Sequence, residues 1–270
     1  MRSIGSRCSA AVVTAALLLA PAREAHADPP SDPPATGPAY RVNLAYDLPA
    51  IAVAGVVSTS WLLRGSLAPP HCGPVCDRED VPAFDRWAAG RWDPGWRTAS
   101  DIGIAAMLVG AGATLFVAES PRNAAVDAIV VGESVLFANT LAVIAMMGAR
   151  RPRPLAYGDA APIEERATGN ASLSFTSGHT AGAAAAAAAT FGTLRRLDFK
   201  YAPWIALGAF ALGASFVGAT RILAGDHFPS DVAAGAVVGV ASGVFFPALH
   251  ERTGARVASA GNGFTLSGTF

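Results

Sequence analysis

Residues 220–231 read T-R-I-L-A-G-D-H-F-P-S-D and lie between two apolar segments, so the stretch is predicted to join two helices. Ser230 is of a type that caps helix N-termini, which places Asp231 in the first turn of the second helix. Asp231 follows His227 by four residues, so its carboxylate can accept a hydrogen bond from one ring nitrogen of His227 and leave the other free as a nucleophile. Arg221, at the end of the first helix, can neutralise charge on the group under attack.

The same stretch also has a plainer interpretation. A capped helix start with a surface histidine accounts equally well for His227 and Asp231 when the stretch is taken alone. The neighbouring Asp226 is predicted to be a solvated turn residue. Only matching chemistry elsewhere in the chain can separate the two interpretations.

A second place of interest is the run of Arg150, Arg151, Pro152, Arg153 and Pro154. Its two X-Pro steps favour an extended backbone, which ends the preceding helix and splays the arginines outward. Guanidinium groups held in this way can bind phosphate oxygens in bidentate fashion. The alternative is a cationic anchor that flanks a membrane span.

A third place is the segment S-F-T-S-G-H-T at residues 174–180. Ser177 is predicted to cap a helix, so the first amides, those of Gly178 and His179, lie at the positive end of that helix and can bind an anion. His179 is then placed to donate a proton to a leaving oxygen. A plain helix start with an exposed histidine is the alternative.

The rest of the chain predicts a membrane protein. The 270 residues are 52% hydrophobic and only 15% charged, with a mean hydropathy of +0.38, which is too apolar for an ordinary soluble domain. Twenty basic residues balance twenty acidic ones, so no overall field favours a nucleic-acid partner. Six apolar segments predict an all-α bundle of about six helices with the site at helix ends on one face: residues 48–63, 102–118, 124–147, 178–194, 203–217 and 232–249.

Small and polar residues suggest how these helices pack. Alanine and glycine dominate them, including an unbroken alanine run at residues 183–189, which permits close helix approach. Asp127, Glu133 and Asn139 fall within the third segment and are expected to face the interior, because polar groups are unfavourable in lipid. A soluble helical enzyme with unusually apolar helices is the alternative to the membrane bundle.

The ends of the chain carry other signals. Residues 1–27 have a basic start, an apolar run and an A-x-A site, which predicts a cleaved signal peptide, or else a retained signal anchor. Residues 28–40 are predicted to be a Pro-rich, unpacked linker, residues 41–250 the helical domain, and residues 251–270 a C-terminal tail rather than a short strand. Residues 155–173 are expected to be a mobile connector or lid.

Export affects how the cysteines are interpreted. In an oxidising compartment, Cys72 and Cys76 are expected to form a disulfide across a tight loop. Metal binding by these cysteines with His71 is the alternative, although no fourth ligand is evident nearby.

The three places together resemble a known family. The Arg153-Pro154 pair, Ser177-Gly178-His179 and the R-x5-H-x3-D spacing from Arg221 to Asp231 look like the signatures of the type 2 phosphatidic acid phosphatase and vanadium haloperoxidase superfamily. The resemblance runs from about Met146 to Asp231.

The resemblance implies a phosphatase that needs no metal or other cofactor and acts on a lipid phosphate or diphosphate monoester. His227 would form a phosphohistidine, Asp231 would orient it, and His179 would protonate the leaving alcohol and later activate water. The phosphate oxygens would be held by Arg153, Arg221, Ser177 and the amide of Gly178. It also implies a bacterial inner-membrane protein with its site on the periplasmic face, while Arg195, Arg196 and Lys200 lie inside.

Met146 departs from the family pattern, because the family usually has a lysine there. The only lysine, Lys200, lies on the side predicted to be opposite to the motifs. Arg150 or Arg151 is the predicted substitute cation, and Thr176 replaces a common proline. A weakened homologue that binds anionic lipid head groups is therefore the alternative function, and a vanadium-dependent haloperoxidase is a third. The periplasmic orientation further requires that residues 48–63 do not fully cross the membrane.

Overall fold

The computed structural model describes residues 37–63, 72, 75–251, 256–260 and 263–267 of the chain. The predicted signal peptide, most of the linker and His71 lie outside these residues. Within them are six helices of 16 to 29 residues, a four-residue helix and two strands. In chain order they are α1 (Leu44–Thr59), α2 (Pro94–Ala118), α3 (Pro121–Ala149), α4 (Ile163–Arg166), α5 (Gly178–Arg196), α6 (Ala202–Leu223), α7 (Pro229–Leu249), β1 (Arg256–Ala260) and β2 (Gly263–Ser267).

The predicted all-α membrane bundle is confirmed. In the described part of the chain, four helices are long and apolar enough to cross a membrane, namely α2, the Pro121–Tyr157 stretch that contains α3, α6 and α7. Their outer faces carry exposed apolar side chains such as Val109, Leu212 and Val237, which are 69 to 74% exposed and suit contact with lipid. The helix α1 has 16 residues, fewer than the roughly 20 that a full crossing requires.

The alanine-rich helix α5 is the central post of the bundle. It packs against α2, α3, α6 and α7, and every residue from Thr180 to Ala187 except none of its apolar neighbours in lipid is buried. Because alanine side chains are short, the surrounding helices approach the α5 backbone closely. The same smallness makes α5 less hydropathic than the helices that surround it.

Three glycines bring α7 against α5. Gly235, Gly239 and Gly243 recur every four residues on one face of α7. A Cβ atom at Gly235 would lie 2.5 Å from the Ser177 carbonyl oxygen, one at Gly243 would lie 2.6 Å from that of Ala185, and one at Gly239 would collide with that of Ala181. This packing aligns the N-terminus of α7 with the N-terminus of α5.

The helix caps mostly follow the sequence. Ser177 caps α5 as predicted, and its hydroxyl accepts a hydrogen bond from the Thr180 amide. The predicted cap of α7 is wrong by two residues, because the helix begins at Pro229 and its N-cap is Phe228. Proline at the first helical position suits its fixed φ, so Pro229 rather than Ser230 sets the start.

Two terminal segments are more ordered than predicted. The end of the predicted linker is packed, since Tyr40 is fully buried and the Ala39 and Tyr40 amides donate hydrogen bonds to the Asp127 carboxylate at 2.7 and 3.1 Å. The predicted C-terminal tail contains an antiparallel hairpin in which β1 pairs with β2. Polar–apolar alternation around glycines was the signal for that hairpin.

Candidate active site

The three sequence motifs meet at one end of the bundle. The C-termini of α3 and α6 and the N-termini of α5 and α7 all lie there, around a cavity of about 520 Å³. Residues from each motif line it: Arg153, Gly178, His179, Arg221 and His227. The rest of the wall is formed by Ser58, Arg97, Asp101, Leu136, Asn139, Val143, Met146, Asn170 and Leu173.

Three arginines converge on one carboxylate beside this cavity. Asp226 accepts hydrogen bonds from Arg153 at 2.8 Å and from two nitrogens of Arg97 at 2.9 and 3.1 Å. Arg221 forms a further ion pair with it at 3.1 Å. The carboxylate thus fixes the directions of three guanidinium groups that come from different helix ends.

The prediction that Asp226 is a solvated turn residue is therefore wrong. Its side chain is fully buried. Burial alone would raise the pKa of Asp226, but the guanidinium groups of Arg153, Arg221 and Arg97 hold that pKa well below its usual range. The turn that delivers it depends on Gly225, whose φ of +78° suits glycine and whose Cβ, if present, would strike the Arg91 carbonyl oxygen.

His227 is buried and is oriented by a backbone group. Its Nδ1 lies 2.6 Å from the Ser174 carbonyl oxygen, an acceptor, so Nδ1 carries the hydrogen and the lone pair is on Nε2. Burial, followed by the positive charges of Arg153 and Arg221, holds the pKa of His227 well below its usual value. The imidazole is consequently neutral at neutral pH, the state that a nucleophile requires.

The predicted hydrogen bond between Asp231 and His227 is not formed. Asp231 instead accepts from the Ser174 hydroxyl at 2.5 Å and from the Phe228 amide at 2.8 Å. Its carboxylate therefore reaches His227 only through Ser174, whose carbonyl holds the ring. A carboxylate in the first turn of α7 satisfies the free amides of that turn, which competes with contact to a side chain four residues earlier.

Arg151 does not fill the place of the missing lysine. It donates to Asp231 at 2.6 Å, to Ser230 at 2.7 Å and to Asp85 at 2.8 Å, and it stacks over the Phe228 ring. These contacts turn Arg151 away from the cavity wall. The prediction that it is a substitute cation is wrong, because two buried carboxylates bind it more strongly than an open cavity would.

Arg150 also lies away from the cavity wall. It ends α3 in a left-handed conformation with φ 47°. Met146, one turn earlier, does line the cavity, as its predicted equivalence to the family lysine requires. The cation found at the wall is Arg97, on α2, which sequence reasoning missed.

His179 lies at the cavity next to a second missed residue. Its Nε2 is 2.9 Å from the Asp101 carboxylate, which also pairs with Arg221 at 3.3 Å. Arg97 and Asp101 are four residues apart and so share a face of α2. Two charged residues on one face of an otherwise apolar helix were the signal that could have revealed them.

Ser177 and Gly178 have different positions. Ser177 is fully buried and absent from the cavity wall, and its hydroxyl lies 2.9 Å from that of Thr180. The structure thus does not bring Ser177 to the place where a phosphate would be held. Gly178 does line the cavity, at the N-terminus of α5 where the first amides have no intrahelical acceptor.

A folded layer covers this end of the bundle. Residues 155–173, expected to be a mobile connector, form short helical turns in which Leu155, Ala161 and Ala171 are buried together. The layer is joined to the loop before α2, since the Cys76 amide donates to the Ala156 carbonyl at 2.8 Å. The expected disulfide between Cys72 and Cys76 is present.

Comparison with known proteins agrees with this arrangement. Residues 127–255 match the sequence model of the PAP2 superfamily. One similar solved structure is described as the first transmembrane PAP2 type phosphatidylglycerolphosphate phosphatase from Bacillus subtilis, with 18% identity, coverage of 75% of this chain and 94% of that chain, and a TM-score of 0.43. No curated protein matches the chain. All three motifs lie inside the matched region, and through residues 127–255 the chain belongs to the PAP2 superfamily.

Proposed function

We propose that the chain is a membrane phosphatase that hydrolyses a lipid phosphate or diphosphate monoester through a phosphohistidine. The observation that carries the proposal is the convergence of two histidines and three arginines on one cavity at the end of apolar helices. Arginine side chains in fixed directions suit a phosphate, and a neutral buried imidazole suits attack on phosphorus.

The reaction divides into two displacements. In the first, the lone pair on Nε2 of His227 attacks phosphorus, the bond to the lipid oxygen breaks, and His179 gives that oxygen a proton. In the second, His179 takes a proton from water, which attacks phosphorus and breaks the bond to Nε2. The products are the alcohol, or a lower phosphate, and inorganic phosphate, with both histidines restored. Asp101 accepts the hydrogen on Nε2 of His179, which leaves Nδ1 for the proton transfers.

The phosphate oxygens are bound by Arg153, Arg221, Arg97 and the amide of Gly178. One donor is already unsatisfied, since the buried Nε of Arg221 has no hydrogen-bond partner among the described residues. Arg97 supplies the positive charge that the family places on a lysine and that Met146 lacks. A guanidinium that enters from α2 can replace an ammonium from α3 because both contact the same phosphate, and charge near the transferred group rather than its point of origin lowers the barrier.

The remaining wall suits the apolar part of a lipid. Leu136, Val143 and Met146 on α3 continue from the arginines along the cavity, and Leu173 lies among them. Such a wall offers contact without directional hydrogen bonds, so it accepts a hydrocarbon chain while the arginines select the phosphate.

The site faces the oxidising side of the membrane in this proposal. The loop that contains the Cys72–Cys76 disulfide packs with Tyr157 and Phe228 at the site end of the bundle, and disulfides persist in oxidising compartments. Tyr40, near Arg196 and Glu251, is then at the inner face. Labelling of single engineered cysteines with a membrane-impermeant maleimide tests this: Asp159→Cys reacts in intact cells and Lys200→Cys does not, and the reverse pattern contradicts the orientation.

Phosphate release by the purified chain in detergent tests the activity, with phosphatidic acid, phosphatidylglycerolphosphate and an isoprenyl diphosphate as substrates. We expect release from at least one lipid and its loss in His227→Ala. With a ³²P-labelled substrate and an alkaline quench, we expect an acid-labile label on the wild-type chain and none on His227→Ala. Undiminished release by a folded His227→Ala variant would refute the mechanism, and no release from any lipid phosphate by the wild type would refute the activity.

A further inference from the structure

Three ionisable side chains meet at the end of the bundle opposite to the arginines. They are Asp47 in the first turn of α1, Glu133 within α3 and His250 at the C-cap of α7. The His250 Nε2 lies 3.2 Å from a Glu133 carboxylate oxygen and 3.4 Å from an Asp47 carboxylate oxygen. One ligand atom from each residue falls within 4.8 Å of the others, which is the spacing of ligands around a shared ion.

The histidine is held in the form of a metal ligand. Its Nδ1 lies 2.8 Å from the Phe246 carbonyl oxygen, so Nδ1 bears the hydrogen and the lone pair of the neutral ring is on Nε2. Metal-binding histidines characteristically give their other ring hydrogen to a backbone carbonyl or carboxylate. Without a cation, that lone pair would point at two carboxylates, an arrangement that repels.

Charge and burial point the same way. The Glu133 side chain is 3% exposed and the Asp47 side chain 13% exposed, so both negative charges are largely removed from water. One Glu133 oxygen, Oε1, is buried and has no hydrogen-bond partner among the described residues. A protonated His250 would neutralise only one of the two charges, whereas a divalent cation with neutral His250 neutralises both.

We propose that Asp47, Glu133 and His250 bind a divalent transition-metal ion such as Zn²⁺. One imidazole nitrogen and two carboxylate oxygens form a mixed N/O ligand set that zinc accepts, with water completing the coordination. The ion ties α1 to α3 and α7, and it acts far from the phosphate cavity. The role is structural, because α1 is the short helix whose far end supplies Ser58 to the cavity wall. The proposal does not depend on the proposed phosphatase activity.

Zinc binding by the purified full-length chain tests the site. The protein carries an affinity tag free of histidine, is treated with EDTA, and is dialysed before ZnCl₂ is added. We expect one Zn²⁺ per wild-type chain by elemental analysis and a rise in Tm of several degrees. Glu133→Gln and His250→Gln lose both the ion and the Tm shift, while the control Glu164→Gln, at an exposed position on α4, keeps both.

X-ray absorption of the zinc-loaded wild type covers the case in which the variants do not fold. We expect one imidazole nitrogen and several oxygens around zinc, and no sulfur. Three results would overturn the proposal: no zinc retained by folded wild type, zinc retained by folded Glu133→Gln and His250→Gln, or a sulfur ligand at the zinc. The last would assign the ion to the cysteines.

Discussion

The PAP2 region, residues 127–255, and the segment before it contribute to the same cavity in different ways. The PAP2 region supplies its residues through three motifs with recognisable spacing, and these motifs surround the cavity from four helix ends. The preceding segment has no motif, yet Arg97 and Asp101 line the cavity, and Asp85 binds Arg151 and Ser230 behind it. The difference indicates that the motifs fix where the chemistry occurs, while the charge around it comes from whichever helix passes nearby.

The largest expected effect tests whether the preceding segment belongs to the catalytic machinery. Arg97→Ala removes a guanidinium beside the transferred phosphate, so we expect kcat to fall by a factor of tens to hundreds, or about 2 to 4 kcal/mol of transition-state stabilisation. Phosphate release from the preferred lipid measures it.

Two variants serve as controls for Arg97. Arg97→Lys keeps the charge and is expected to recover part of the rate, whereas Arg195→Ala, at the far end of α5, leaves it unchanged. A change of less than threefold in a folded Arg97→Ala variant would mean that the PAP2 region suffices alone.

The second prediction compares how helices pack in the two regions. A glycine to alanine change inside a helix normally stabilises it by up to about 1 kcal/mol. On α2, Gly112→Ala should follow that rule, because a Cβ there meets nothing within 4 Å. On α7, Gly239→Ala forces a Cβ into the Ala181 backbone and should destabilise the fold by about 1 to 3 kcal/mol.

The opposite signs are what sharpen this second comparison. Thermal unfolding in detergent should show a lower Tm for Gly239→Ala and an equal or higher Tm for Gly112→Ala. Equal Tm values for the two variants would show that close contact between α5 and α7 does not align the motifs.

The sequence predicts the helices and the motif residues well, for a physical reason. Each helix is a long apolar run, and His179, Arg221 and His227 lie near helix ends that their own neighbours define. The role of Asp226 could not be predicted in this way, because one of its partners, Arg97, is 129 residues away and nothing local distinguishes a buried carboxylate from a solvated one. The orientation of His227 by the Ser174 carbonyl, rather than by Asp231, is likewise decided by packing between two loops.

The third prediction concerns the other charged residue on α2. Asp101→Asn removes the carboxylate that contacts both His179 and Arg221, so we expect kcat to fall about tenfold, equivalent to about 1.4 kcal/mol, with a smaller change in KM. Asp101→Glu, which keeps the carboxylate, should recover part of the rate. An equal loss in both variants would show that Asp101 only packs and does not position the histidine.

The smallest expected effect separates the two accounts of Met146. If Arg97 supplies the missing charge, Met146→Lys adds a cation where one already acts, and kcat should change by less than about threefold. If the chain is instead a weakened homologue that only binds lipid head groups, the wild type is nearly inactive and Met146→Lys should raise its rate by tens to hundreds.

The combination with Arg97→Ala makes the Met146 test decisive. When the arginine is absent, a lysine at position 146 stands alone near the phosphate, so Met146→Lys should recover activity in the Arg97→Ala background although it adds little to the wild type. Such non-additivity is expected for two groups that share one ligand. Independent effects of the two substitutions would place the arginine and the position of Met146 on different parts of the substrate.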